Sequence, residues 1–220
     1  MFIPVVIQLV ALISGRTQLE IKLDLYRGDD KVGYGTFTES NERGGHRSRR
    51  IRLWARDDAE TRVKIDNTKV VDGNAFPISE REEVVRESAS MRSVLICEVK
   101  YDRNGAAVYS EYKDKVLYTK RTFPPLPGLS RADASDLWFT KVNPTPGTTV
   151  HSTVFDIEYA KWREVETTYL GRKWITVNGR QVEANEVRDI RDLKVRTVYL
   201  DDKGQPILMK NGDLRTEKHF

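Results

Sequence analysis

Turn signals recur along this chain at short intervals, and the runs between them alternate apolar with polar residues. Between Leu19 and Leu25 every second residue is apolar and those between are charged, the pattern of a strand with one buried and one solvated face. Asn-Gly is the strongest of the turn signals, because type I′ turns need positive φ at both central residues. The signals are Gly28-Asp29-Asp30, Gly44-Gly45, Asp57-Asp58, Asp72-Gly73, Asn104-Gly105, Asn178-Gly179, Lys203-Gly204 and Asn211-Gly212. They predict a mainly β fold: a single curled antiparallel sheet forming a half-barrel or open barrel, with a sandwich as the alternative.

Two stretches bear on how this sheet curves and where it ends. Gly33 and Gly35 fall on the same face of a predicted strand, where glycine lets a sheet bend or lets another backbone approach closely. The charged run ISEREEVVRES fits either a short helix or an edge strand. The sequence leaves both alternatives open for this run.

One long break, the central insertion 124–147, interrupts the meander. The prolines of FPPLPGL and PTPG at its two ends cannot continue central strands, and Ser130 is suited to cap a short helix. The apolar run LWF inside the break argues against a disordered linker. We therefore expect a short helical, proline-rich lid that packs on the sheet.

The N-terminal run MFIPVVIQLVALISG is almost entirely apolar from Phe2 to Ile13. A membrane-spanning helix needs about 20 such residues, whereas a signal peptide needs fewer and ends in small residues. No lysine or arginine precedes the run, so a buried first strand is the alternative. We predict a signal peptide at 1–15, a single β-rich domain at 16–220, export to the periplasm or the exterior, and no integral membrane segment.

Composition and motifs exclude several classes of function. Apolar residues make up 39% of the chain and charged residues 32%, as in ordinary globular proteins, and the net charge of +4 is too small to indicate a nucleic-acid partner. The single cysteine, Cys97, excludes an internal disulfide and a cysteine-based zinc site. The three histidines lack metal-binding spacing, and no catalytic motif is present. We predict no enzyme activity, no catalytic or metal-binding residues and no cofactor.

One group of apolar residues is expected to face the inside of the curled sheet. Strand parity, or a place in the lid, points these side chains inward, where they would form the wall of an apolar ligand site. They are Leu23, Leu25, Phe37, Leu53, Leu95, Val99, Trp138 and Phe139. An ordinary filled core accounts for the same parity, so both alternatives remain open.

The stretch NERGGHRSRRIRLWAR carries six arginines against one acidic residue. Arg50, Arg52, Trp54 and Arg56 share one face of a predicted strand. Guanidinium groups beside an indole suit phosphates, a stacked base or an anionic lipid headgroup. The alternative is a solvated face whose arginines pair with acids on neighbouring strands, such as Glu60 or Glu82.

The order of segments resembles a known group of proteins. An opening DLYRGDDKVGYGTF hairpin precedes the proline-rich middle and DLWFTKVNPTPGTTV, and a YLGRKWITVNGRQVEANEV hairpin and TVYLDDKGQPILM follow. This order, with the short motifs V-G-x-G, P-x-P-G and D-x-x-G-x-P, resembles uncharacterised β-rich domains of exported bacterial proteins, related to the lipoprotein-carrier (LolA and LolB type) half-barrels. The resemblance implies an incomplete barrel with a helical lid over an apolar cavity. It brings no catalytic residues.

Two functional hypotheses follow from these observations. The first is an exported, non-enzymatic binding protein that holds a lipid, a lipoprotein acyl chain or another amphipathic ligand in the concave face of a half-barrel. The second is a structural or protein-interaction module of the cell envelope, with a filled core and no small-molecule ligand. Its protein partner would bind at a sheet edge or at the arginine stripe.

Overall fold

A computed structural model describes residues 18–58, 60–73, 76–125, 142–191 and 194–220. Nearly all of these residues belong to strands or to the short turns between them. The strands are β1 (Gln18–Arg27), β2 (Asp30–Asn41), β3 (Arg47–Arg56), β4 (Arg62–Val71), β5 (Pro77–Glu87), β6 (Arg92–Tyr101), β7 (Ala107–Lys113), β8 (Val116–Phe123), β9 (Thr149–Asp156), β10 (Lys161–Val177), β11 (Arg180–Arg191), β12 (Lys194–Leu200), β13 (Pro206–Asn211) and β14 (Leu214–Lys218).

The fourteen strands form one antiparallel sheet in the order β8-β7-β6-β5-β4-β3-β2-β1-β14-β13-β12-β11-β10-β9. Strands β1 to β8 are joined as consecutive hairpins, and so are β9 to β14. The two series meet where β1 pairs with β14, in the middle of the sheet. Within the described ranges the two outermost strands, β8 and β9, do not pair, so the sheet is not closed into a barrel. The prediction of a mainly β fold with a single antiparallel sheet is confirmed.

Each of the eight turn signals lies at a connection between two consecutive strands. Asn178 and Gly179, between β10 and β11, have φ values of 46° and 76°, which is the left-handed geometry that an Asn-Gly turn provides. Asp114 and Lys115, between β7 and β8, adopt φ values of 48° and 69° without any glycine. The aspartate is fixed there, because the amide of Val94 donates to its carboxylate at 3.0 Å. This turn carries no glycine signal and was not predicted.

Gly33 and Gly35 allow the close backbone approach that was expected of them. A Cβ atom at Gly33 would lie 2.0 Å from the carbonyl oxygen of Trp54, and one at Gly35 would lie 2.4 Å from that of Arg52. No side chain fits at such distances, so β3 can lie against β2 here only because both residues are glycine.

The charged run ISEREEVVRES forms neither a helix nor an edge strand. It is part of β5, which lies inside the sheet between β4 and β6. Its charged side chains are compatible with this position because neighbouring strands supply partners. Arg81 forms an ion pair with Glu98 at 3.1 Å, and Asn67 donates a hydrogen bond to Glu80 at 2.9 Å. Cross-strand partners of this kind make a strand charged on both faces compatible with an interior position.

The two faces of the N-terminal half of the sheet differ in composition. Residues that are directly opposite in antiparallel strands share a face, and one row across β1 to β6 is Leu23, Gly35, Leu53, Ile65, Val84 and Leu95. We call the face that contains this row the inner face, and the opposite one the outer face. The inner face holds Leu23 and Phe37, exposed by only 2% and 4%.

Side-chain packing brings the two ends of the sheet together. Phe155 of β9 lies against the inner-face rings of Tyr109 in β7 and Phe123 in β8, with centroids 6.1 and 5.2 Å apart. Trp162 of β10 completes the cluster with an edge contact to Phe155 at 5.4 Å. The sheet is therefore curled by an aromatic seam, and not by backbone hydrogen bonds between β8 and β9.

The turn of the long β10–β11 hairpin contacts the outer face, where Asn178 donates hydrogen bonds to Asp24 and Glu217. The register of the hairpin shifts between Tyr169 and Gly171, which has a φ of 98°, and a bulge of this kind bends a strand. Beyond the bend, Val177 packs with Tyr199 and Leu208. This apolar cluster gives the C-terminal half a second core, which the alternation pattern did not predict.

Three predictions fall on residues outside the described ranges. The signal peptide at 1–15, the helix expected from Ser130, and the lid residues Trp138 and Phe139 all belong to segments for which no structure is described. The helical lid therefore stays a prediction. Among the described residues, no helix has the length and apolar character needed to cross a bilayer.

Candidate functional site

A row of arginines crosses the outer face at the ends of β3 to β6. The strand register sets Arg56 opposite Arg62, Arg62 opposite Glu87, and Glu87 opposite Arg92. We call these four residues the arginine row. Like charges directly opposite one another destabilise a sheet. Among the described residues, no carboxylate forms an ion pair with Arg56, Arg62 or Arg92, so Glu87, the acid of the row, offsets the repulsion only in part.

An aromatic pair lies one row further along the same strands. The rings of Tyr34 and Trp54 are stacked, with centroids 5.3 Å apart and planes 18° from parallel. Lys64 is opposite Trp54, and Val85 follows it in the next strand. Tyr34 is 59% exposed, so this pair presents apolar ring surface to solvent beside a cationic lysine.

The two rows line an open groove of about 1000 Å³. Val32 and Val85 add apolar walls, and Lys31 and Glu83 lie among the remaining lining residues. Two of these charges are already engaged, since Lys31 binds Asp24 at 2.6 Å and Glu83 accepts from Arg81 at 3.0 Å. The remaining charged residues that line the groove therefore carry a net positive charge. The arrangement suits a ligand with an anionic group and an apolar or flat part.

The residues of the predicted arginine stripe do not all belong to the groove. Arg50, Arg52, Trp54 and Arg56 do share the outer face, but only Trp54 and Arg56 line the groove. Arg50 binds Asp66 through two contacts of 2.7 and 2.5 Å, and this hydrogen bonding holds the pKa of Asp66 below its usual value. The Nε of Arg52 is buried without a hydrogen-bond partner among the described residues.

The partners suggested for that stripe were wrong. Glu82 lies opposite Cys97 and Asn67, on the inner face, and so cannot meet the arginines of the outer face. Glu60 lies in the β3–β4 turn, and its described contact is a hydrogen bond from its own amide to Asp58. Asp66 is the acid that pairs, because it lies on the outer face of β4 beside Arg50.

Tyr34, Arg62, Lys64 and Arg92 complete the groove and were not identified from the sequence. One signal was present: Arg56 and Arg62 flank the turn DDAET. A hairpin closed by that turn pairs the two arginines directly. Arg92 and Tyr34 join the site through pairings that strand pattern does not reveal.

The expected apolar wall residues that the structure describes lie on the inner face. Leu23, Leu25, Phe37 and Val99 are buried, while Leu53 and Leu95 are half-buried. Val99 belongs to the packed cluster that contains Phe155, so that end of the interior is filled. A ligand-binding role for these residues stays a prediction, as does that of Trp138 and Phe139.

The buried thiol is held in the same packed interior. The hydroxyl of Tyr109 lies 3.2 Å from the Cys97 sulfur, and burial raises the pKa of Cys97 above its usual value. Burial likewise raises the pKa of Glu82, two strands away from Tyr109. A thiol kept protonated in apolar surroundings is unreactive. Cys97 therefore serves as a packing residue.

Comparison with known proteins adds the fold and nothing more specific. No protein-family model matches the chain, and no curated protein matches its sequence. The crystal structure of a beta-barrel-like protein of domain of unknown function DUF1849 from Brucella abortus is similar, with a TM-score of 0.64. The likeness covers 91% of this chain and 94% of that one at 10% identity. The chain therefore has a beta-barrel-like antiparallel fold, and its relation to the lipoprotein carriers stays a hypothesis.

Proposed function

We propose that this protein is an exported, non-enzymatic binding protein that holds an anionic amphipathic ligand of the lipid class. The outer-face groove is the proposed site. The anionic group of the ligand binds at the arginine row, and its apolar part lies on the stacked rings of Tyr34 and Trp54.

The observation that carries this proposal is the excess of positive charge in the arginine row, where none of the three arginines forms an ion pair with a described carboxylate. Elsewhere in the sheet, Arg49 binds Glu39 at 2.9 Å and Arg50 binds Asp66 at 2.5 Å. At the groove, Arg56 and Arg62 are opposite one another instead. Unpaired cations held together by a sheet are stabilised when an external anion binds between them.

The apolar part of the proposal rests on the row next to the arginines. Tyr34, Trp54, Val32 and Val85 place apolar surface directly beside the cations. A volume of about 1000 Å³ matches the upper end of ordinary ligand sites. The inner face supports the proposal less well, because Val99 and its neighbours already pack against Phe155.

Calorimetric titration with short-chain lipids tests the proposal. We expect dihexanoyl phosphatidylglycerol, kept below its micelle concentration, to bind more tightly than zwitterionic dihexanoyl phosphatidylcholine. The double variant Arg62→Gln/Arg92→Gln should weaken this binding by about tenfold or more, equivalent to about 1.4 kcal/mol or more. Both residues are exposed, so the melting temperature should not fall.

The matched control is Arg188→Gln, which removes an exposed arginine of β11 that lies outside the groove. It should bind phosphatidylglycerol as the wild type does. If the wild type binds neither lipid, the proposed function is wrong, and an interaction module with a filled core becomes the better description. An equal loss of binding in Arg188→Gln would show that net charge alone, and not the groove, attracts the lipid.

Export is the second part of the proposal and has its own test. When the full chain is expressed in a Gram-negative bacterium, we expect the protein of the envelope fraction to begin near Gly15 or Arg16. N-terminal sequencing measures this directly. Recovery of the chain from the cytoplasm with Met1 intact would contradict export.

A further inference from the structure

We infer that the groove selects a phosphate monoester, a head group carrying close to two negative charges, over a phosphodiester carrying one. This inference rests on the proposed function and narrows its ligand class. It predicts a preference between two anionic lipids, so it can fail while the proposed function stands.

The charge of the arginine row favours a dianion. Arg56, Arg62 and Arg92 contribute three positive charges and Glu87 one negative charge, so positive charges exceed negative ones by two. Lys64, in the next row, adds a further cation to the groove. A phosphate monoester carries a charge of about −1.5 to −2 at neutral pH, whereas a diester carries a single negative charge. The monoester therefore comes closer to neutralising the row.

The strand register also favours a group with three terminal oxygens. Directly opposite residues in an antiparallel pair have Cα atoms about 4.5–5.5 Å apart, so the guanidinium groups of Arg56 and Arg62 start from neighbouring positions on one face. Each guanidinium can donate two parallel hydrogen bonds to a phosphate. A monoester has three terminal oxygens and a diester has two. Two arginines that each donate two hydrogen bonds to one phosphate therefore find more acceptor sites on the monoester.

The spacing of the rows fits the remainder of a lipid. Trp54 precedes Arg56 by two residues on the same face of β3, which corresponds to about 7 Å along a strand. A glycerol backbone can extend across this distance, from a phosphate at the arginine row to acyl chains on the aromatic pair. Phosphatidic acid and free phosphate both present a phosphate group with close to two negative charges. Only phosphatidic acid also has acyl chains that can contact the aromatic pair.

Titration with four soluble probes tests the inference at neutral pH. We expect dihexanoyl phosphatidic acid to bind about tenfold or more tightly than dihexanoyl phosphatidylglycerol, equivalent to about 1.4 kcal/mol or more. Inorganic phosphate should bind more weakly than phosphatidic acid, and dihexanoyl phosphatidylcholine weakest of all. Since the second pKa of a phosphate monoester is about 6, lowering the pH to about 5 should reduce the preference for phosphatidic acid.

The variant Arg56→Gln/Arg62→Gln separates the outcomes. This variant should bind phosphatidic acid and phosphatidylglycerol with equal affinity. Arg188→Gln should keep the wild-type preference for phosphatidic acid. A melting curve for each variant checks that it is folded. Equal affinities of the wild type for the two anionic lipids would overturn the inference and leave the proposed function intact. If inorganic phosphate bound as tightly as phosphatidic acid, the aromatic pair would have no part in binding, and both would be wrong.

Discussion

Replacing Phe155 with alanine is expected to lower the free energy of unfolding by about 3–5 kcal/mol. Phe155 is 5% exposed and contacts the rings of Tyr109, Phe123 and Trp162. Its removal leaves a cavity at the seam where the two ends of the sheet meet. Because β8 and β9 do not pair, the seam has no described ladder between these strands to compensate for the lost packing.

Urea denaturation measures this loss of stability. Phe155→Leu keeps most of the apolar volume and should cost less, about 1–2 kcal/mol. Phe220→Ala, which removes an exposed ring far along the chain, serves as the control for loss of aromatic surface. A loss below about 1 kcal/mol for Phe155→Ala would mean that the curled shape does not depend on the aromatic seam.

Replacing Asp24 with alanine is expected to cost about 1–2 kcal/mol, since Lys31 and His219 are more than half exposed and water can hydrate them once the carboxylate is gone. Its carboxylate is nearly buried and accepts from the Lys31 ammonium at 2.6 Å and from Asn178 at 3.3 Å, and the ring Nδ1 of His219 lies 3.0 Å away. These partners come from β2, from the β10–β11 turn and from the end of the chain. Loss of the carboxylate therefore loosens the attachment of the long hairpin to β1.

The same carboxylate should make stability depend on pH. Burial alone would raise the pKa of Asp24, but the hydrogen bonds and charges of Lys31 and His219 outweigh burial and hold it below its ordinary value. A carboxyl with a lowered folded-state pKa stabilises the fold above its unfolded pKa, near 4, and loses this contribution as the pH falls through the folded value.

Urea curves recorded between about pH 6 and about pH 3 test this dependence. The wild type should lose more stability over this range than Asp24→Asn, in which residue 24 no longer titrates. Parallel pH profiles for the two proteins would contradict the role assigned to Asp24.

Much of the fold was predictable because it depends on local chemistry. The alternation from Leu19 to Leu25 specifies which face of β1 is buried, and Asn178-Gly179 specifies a tight turn between β10 and β11. Neither inference requires knowledge of distant strands. The turn at Asp114 and Lys115 was not predicted, because it depends on a distant contact. A hydrogen bond from the amide of Val94, and not a glycine, holds its positive φ values.

The groove could be predicted only in part, because its chemistry depends on register. Trp54 and Arg56 belong to one strand, so their shared face could be read from the sequence. Arg92 and Tyr34 join them only after β2 to β6 are aligned side by side. A shift of one residue in any of these pairings would move an arginine to the other face. The alternation of apolar residues therefore predicts which face of a strand is buried. It does not predict which charged residues of neighbouring strands lie side by side on the surface.

The pairing of β1 with β14 affects how the protein folds while it is being made. Asp24 and His219, which join these two strands, are 195 residues apart. At about 5–20 residues per second, roughly 10–40 s separate their synthesis. Throughout that interval one edge of β1 has no partner strand, while β2 to β8 are added on its other side. An open edge of this kind is where chains associate with one another, so the nascent chain can associate along β1 until the five-residue strand β14 emerges.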